Sequence, residues 1–342
     1  MRVAVYYNNN DIRIQDIPIP EITEDEILIQ TKACGICGTD ILEWYRRNSA
    51  PLVLGHEVSG VIVKVGKSIK DYKVGERISV SHHVPCNQCH YCLVGHHTVC
   101  ETLRKTNFYP GGFSEYIHIP SINVKFGIYR LPDELSFEEA TFIEPLACCI
   151  RGQRQAKMEK EKSVLILGCG VAGLLHIQLA KLLGASLIFA TDVFSCRLEA
   201  AKKFGADFTI LADELNREFL REKNKGLLVD LVIVCTTKGE AFTQALESIE
   251  REGVVLFFAS PEQDFKISLP IAEFFWRNEI TLISSYAGSP SDHLQALELI
   301  YKKKINVKDL ITHHLKLEDT LKGFQLVSKA EESLKVIIKP GR

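Results

Sequence analysis

Four cysteines, Cys86, Cys89, Cys92 and Cys100, stand within 15 residues of one another. Two C-x-x-C spacings put three sulfurs on one tight loop, and the seven-residue gap before Cys100 lets the chain turn back and close a tetrahedron. Four thiolates so arranged fit a closed, structural zinc site with no open position for substrate. An iron–sulfur cluster and disulfides are the competing readings. His82, His83, His90, His96 and His97 surround the loop, but four cysteines already saturate the metal and leave them no ligand role. A further C-x-x-C lies in Cys34-Gly35-Ile36-Cys37-Gly38-Thr39-Asp40. A redox dithiol would need a βαβ context, which this stretch lacks.

Gly168-Cys169-Gly170-Val171-Ala172-Gly173 fits G-x-G-x-x-G. It follows the apolar run Val164-Leu165-Ile166-Leu167 and opens a helical period over 172–183, the context a dinucleotide fingerprint requires. The glycines permit the tight turn, the approach of the pyrophosphate and close helix–strand packing. Gly168, Gly170, Val171, Ala172 and Gly173 are thus the expected cofactor contacts, with the phosphates on the positive helix N-terminus. An acid about 20 residues on should meet the ribose, and Asp192 stands there. Its carboxylate would repel a 2′-phosphate, which favours NAD over NADP. Arg197 argues mildly the other way, or flanks the adenine.

The elements that carry these groups differ along the chain. Residues 1 to about 145 read as short strands broken by glycines, a folded-over β-barrel or sandwich. Beyond Glu144-Pro145, apolar strands alternate with helical periods, which means βαβ units and a parallel sheet. A helix over 293–301 and a strand over 335–338 close the chain.

The 342 residues are too many for one ordinary core, so two domains are expected. A formal net charge of −2 with 25% charged residues gives no basic balance that points to nucleic acid, and Lys302-Lys303-Lys304 reads as a solvated helix end. No apolar run reaches the roughly 18 residues of a membrane span. The N-terminus reads as a strand, not a signal peptide, so a cytoplasmic protein with no membrane partner is expected. In that setting the 11 cysteines point to metal rather than disulfides. Cys148, Cys149, Cys169, Cys196 and Cys235 read as small core residues.

Gly55-His56-Glu57 and Glu144-Pro145 add to this set, as does Gly111-Gly112-Phe113-Ser114-Glu115-Tyr116. With the cysteine loop and the fingerprint in the same order, the chain resembles the zinc-containing medium-chain dehydrogenase/reductases. The nearest branch is that of the sorbitol (polyol), galactitol-phosphate and threonine dehydrogenases. The resemblance implies a GroES-like β-barrel catalytic domain, 1–147 with 286–342, and a Rossmann domain of doubly wound parallel sheet, 148–285. It implies that Cys37 and His56 bind a catalytic zinc. It leaves Glu57 and Glu144 as alternatives for the third ligand, the other partnering bound water. Thr39 would hydrogen-bond the substrate oxygen. Cys34 carries no role. Three protein ligands and one open position agree with catalytic zinc, which polarises a substrate oxygen.

The expected activity is therefore NAD-dependent oxidation of a secondary alcohol, with two zinc ions per chain, in a homodimer or homotetramer. Oxidation of an amino alcohol such as threonine is the alternative. A non-catalytic NAD- and zinc-binding protein, or a zinc-free enone reductase, would not need the full ligand set. Many relatives carry a relay histidine five residues after the cysteine ligand, where this chain has Leu42. Leu42, Tyr45, Phe108, Glu115 and Tyr286 are candidate pocket residues, and Arg46 and Arg47 could meet an acidic group on the substrate.

Overall fold

The computed structural model describes residues 1–341. It divides into two compact units: Met1–Ala147 with the segment from Ala287 onward, and Cys148–Tyr286. Tyr286, placed by sequence with the catalytic segment, falls in the second unit.

In the first unit the strand Ile27–Gly35 is the hub. It pairs antiparallel with Glu57–Val65, Tyr116–Ile119 and Lys335–Lys339. The full sheet runs Ile311–Lys316, Lys335–Lys339, Ile27–Gly35, Glu57–Val65, Arg77–Val80, Ile128–Arg130. A second sheet orders Asp11–Asp16, Arg2–Asn8 and Leu52–Val53. Ile27, Ile29, Ile62, Ile78, Phe113 and Ile117 fill the core between them. Register then decides what meets: Gly35 stands opposite both Glu57 and Ile337. The ends of three strands from distant parts of the sequence converge there.

The second unit is a six-stranded parallel sheet, ordered Phe208–Leu211, Leu187–Asp192, Ser163–Leu167, Val229–Val234, Ile249–Phe257, Thr281–Ser284. The chain builds outward from Ser163–Leu167 to one edge, then crosses back to build the other. That reversal is the switch point at which such sheets bind nucleotides. Ser163–Leu167 is buried at every residue, as a parallel strand covered on both faces should be.

Two expectations are corrected. The C-terminal helix is Pro290–Tyr301, longer than 293–301, because Ser289 and Asp292 form a capping box and Pro290 suits the first turn. Cys196 is exposed, and Cys148 and Cys235 are only half-buried, whereas Cys149 and Cys169 are core. In the helix Ser195–Phe204 the buried face is Leu198, Ala201 and Phe204, and Cys196 points away from it. Among the described residues no helix is long and apolar enough to cross a membrane.

Candidate functional site

Cys37 lies two residues past the end of Ile27–Gly35, and His56 and Glu57 stand at the start of the partner strand Glu57–Val65. Antiparallel pairing brings these ends together. One ligand atom from each of Cys37, His56 and Glu57 falls within 4.8 Å of the others. Glu144, in the first turn of the helix Ile143–Gln155, is outside that group. Its charge is nonetheless felt by Glu57 and His293.

Hydrogen bonds fix each member. Thr39 donates to Cys37 Sγ from its amide at 3.5 Å and from its hydroxyl at 3.3 Å, which suits a thiolate. Asp40, fully buried, accepts from the Cys37 amide at 3.0 Å. Its other oxygen faces His56 Nδ1 and Arg46 Nη2, each at 3.5 Å. A carboxylate behind a ligating histidine orients the ring and raises its basicity. Burial alone would raise the Asp40 carboxyl, but His56, Arg46 and the Cys37 amide hold it below its usual range. Burial opposes charge on His56, yet Asp40 and Cys37 outweigh it and hold the imidazole well above its ordinary value. This corner is negative enough to favour a cation.

Glu57 has a partner that spacing did not reveal. Lys335, 2% exposed, forms an ion pair with the Glu57 carboxylate, 1% exposed, and also donates to the Ile36 carbonyl at 3.3 Å. Burial pushes the Glu57 carboxyl up, while Lys335 and His56 pull it back. Burial likewise opposes charge on Lys335, but Glu57 and Cys37 keep the ammonium above its ordinary value. Gly35 makes room for this pair. A Cβ there would stand 2.0 Å from Glu57 Oε2.

The second metal group is Cys86, Cys89, Cys92 and Cys100, again within 4.8 Å. The sulfurs of Cys89 and Cys92, and of Cys86 and Cys100, are 3.6 Å apart. A tetrahedron with bonds of about 2.3 Å needs sulfurs roughly 3.8 Å apart, so the set fits zinc. Burial raises the Cys100 thiol, but amides of Cys86 and Leu103 bring it down to about 6. Burial and its neighbouring thiols push Cys92 up to about 12. Cys86→Ser is expected to lose one zinc ion and lower the melting temperature, because a closed zinc site contributes folding energy; metal analysis with thermal denaturation checks this.

The nucleotide fingerprint is built as the spacing implies. Gly168 adopts φ +97°, and the helix Val171–Leu182 starts at Gly170. A Cβ on Gly173 would lie 1.9 Å from the Gly168 carbonyl oxygen. Gly173→Ala therefore forces the helix off the turn. At about 1–3 kcal/mol for overpacking, the NAD dissociation constant should rise about 10–100-fold, read by nucleotide fluorescence titration. Asp192 takes the Cys169 amide at 2.7 Å and the Phe194 amide at 3.1 Å, so it braces the turn as well as closing the strand. Arg197 Nη1 lies 3.9 Å from Asp192.

Of the candidate pocket residues, Phe108 stands edge-on to His82 and Tyr45 stacks under Arg46. Arg2 engages Glu115 through its amide and its guanidinium, which braces the first strand against the chain at Glu115. Sequence reasoning gave no role to Asp40, Lys335 or His82. Only Asp40 had a local signal, its place beside Cys37.

A nucleotide fold, a closed four-thiolate group and a Cys–His–carboxylate group together define a zinc- and nicotinamide-dependent dehydrogenase. Known proteins agree. The alcohol dehydrogenase GroES-like domain matches residues 23–132, and the zinc-binding dehydrogenase domain matches 171–302. A sorbitol dehydrogenase of Bacillus subtilis is 32% identical over 100% of this chain and 98% of its own length. A probable D-xylulose reductase A of Aspergillus clavatus is 30% identical over 96% of this chain and 94% of its own length. Galactitol-1-phosphate dehydrogenase from Escherichia coli superposes with a TM-score of 0.86, at 27% identity, covering 99% of this chain and 100% of that one. The chain belongs to the zinc-containing medium-chain dehydrogenase/reductase family and resembles its polyol dehydrogenases.

Proposed function

We propose that this protein oxidises a secondary hydroxyl of a polyol or sugar alcohol, free or phosphorylated, to the ketone, with NAD as hydride acceptor. The observation that carries this is the meeting of Cys37, His56 and Glu57 at paired strand ends, with a lysine behind the carboxylate. Cys37, His56 and one of Glu57 or Glu144 would hold the catalytic zinc, and the four-cysteine group a second, structural one. Zinc supplies a Lewis acid that lowers the pKa of the substrate hydroxyl. Thr39, exposed beside Cys37, would orient the substrate hydroxyl by accepting its hydrogen bond and, as that proton transfers, would release its own hydroxyl proton. Asp40 holds the His56 ring. Arg46 donates to the Thr39 carbonyl at 3.1 Å and reaches its hydroxyl at 3.4 Å. With Leu42 in the relay position, the proton leaves to solvent from Thr39.

Gly168, Gly170, Val171, Ala172 and Gly173 would cradle the pyrophosphate, and Asp192 would meet the ribose with Arg197 beside it. The first unit is assigned as the catalytic domain and the second as the NAD domain. The strand Thr281–Ser284 ends the parallel sheet and offers an edge for pairing in a homodimer or homotetramer. A cytoplasmic setting fits four cysteines grouped as metal ligands rather than joined in disulfides.

A panel of sorbitol, xylitol, galactitol 1-phosphate, butane-2,3-diol and threonine, each with NAD and NADP, tests the reading through nicotinamide absorbance. Reduction of NAD by a polyol is the expected result. Activity confined to threonine would move the protein to the amino-alcohol class, and none at all would favour a non-catalytic role.

A further inference from the structure

The loop before the four-cysteine group carries two adjacent histidines in unlike surroundings. His83 Nδ1 is hydrogen-bonded to the Thr106 carbonyl at 2.8 Å, which fixes its ring. The His82 ring lies on it, centroids 3.8 Å apart, with Phe108 edge-on at 6.3 Å. On its other side His82 meets His56, centroids 4.8 Å apart. His82 is therefore held in place against a residue of the Cys37–His56–Glu57 group. Its Nδ1 is closed off from solvent and has no hydrogen-bond partner, while the residue as a whole is partly exposed. An orphaned lone pair costs less than an orphaned N–H, so the proton is assigned to Nε2. His293 also has an unpartnered ring nitrogen, but it is 3% exposed and stacked flat on Tyr129. His82 is the open one.

A site for simple alcohols has no use for a fixed imidazole N–H in its wall, since an apolar substrate would leave that donor unpaired at a cost of about 1–3 kcal/mol. We propose that His82 is a specificity-determining residue that donates a hydrogen bond to a second hydroxyl, on the carbon next to the one oxidised, so that the site selects 1,2-diols. This rests on the proposed function and names the part of the substrate that is read.

The test compares butane-2,3-diol with butan-2-ol, using zinc-replete wild-type, His82→Phe and His82→Gln proteins. Two quantities are read: the ratio of kcat/KM values with NAD, and the diol dissociation constant in the presence of NADH by calorimetry. Wild type should prefer the diol by at least about 100-fold, since a donor built for a hydroxyl discriminates strongly against its absence. In His82→Phe the ratio should fall about 30-fold and diol binding should weaken in parallel, with zinc content unchanged. His82→Gln, which keeps an N–H donor, should recover part of both. An equal fall for both alcohols, or an unchanged ratio and dissociation constant, overturns the assignment. If wild type reduces no NAD with either alcohol, diol binding alone judges His82: weaker binding in His82→Phe upholds it and equal binding overturns it, while the proposed function fails only if the polyol panel is inactive too.

Discussion

Cys37→Ser protein should turn over its alcohol at least about 10³-fold more slowly than wild type and hold one zinc ion where two are expected for wild type. The size follows from the role. Lewis-acid stabilisation contributes several kcal/mol, and each 1.36 kcal/mol is tenfold in rate. The thiol also anchors its surroundings, since it receives both hydrogen bonds from Thr39. Folding should survive, because Cys37 is partly exposed and lies past the strand that carries it. NAD affinity should survive too, because the fingerprint belongs to the other compact unit. Kinetics, metal analysis and a nucleotide titration on the same sample separate these outcomes. Loss of both zinc ions, or full activity with one, would contradict the assignment.

Lys335→Met should be the costliest single change to stability. The methionine fills most of the volume but leaves Glu57 as a carboxylate, 1% exposed, without its cation. Removing one partner of a buried pair costs about 3–5 kcal/mol, most of it the penalty on the charge left behind. The double variant Lys335→Met with Glu57→Gln should recover much of that loss, since no bare charge remains. Denaturant unfolding of the three proteins gives the comparison. A single variant as stable as wild type would show that Glu57 sits neutral or reaches another cation. The activity of Lys335→Met should also fall, because the lysine that fixes the Glu57 carboxylate beside Cys37 and His56 is gone.

What sequence reveals and what it conceals divides along separation in the chain. The four-cysteine group closes within one loop and the fingerprint within one turn, so spacing alone describes both. The alternation of strand and helix after residue 145 likewise announces a parallel sheet. Cys37 and His56 meet through strand pairing, and only their resemblance to a known ligand set joined them beforehand. Lys335 had no such help. It lies 278 residues from Glu57 and reads as the first residue of an ordinary strand. Its meaning comes from register, which puts Ile337 opposite Gly35 and Gly35 opposite Glu57. Gly35 itself reads as a turn glycine between cysteines, whereas its missing side chain is the space the ion pair occupies. His82 was one of several histidines near a saturated metal. Its significance appears only once the ring is seen against His56.

The most direct measurement uses a polyol carrying deuterium on the carbinol carbon, incubated with NAD and either zinc-replete or zinc-depleted protein. The mass of the reduced cofactor is then read. Direct transfer at a zinc site predicts one deuterium on the nicotinamide with zinc-replete protein, and no reduced cofactor after zinc is removed. Reduced cofactor that carries hydrogen from solvent, or that forms undiminished without zinc, would contradict the account.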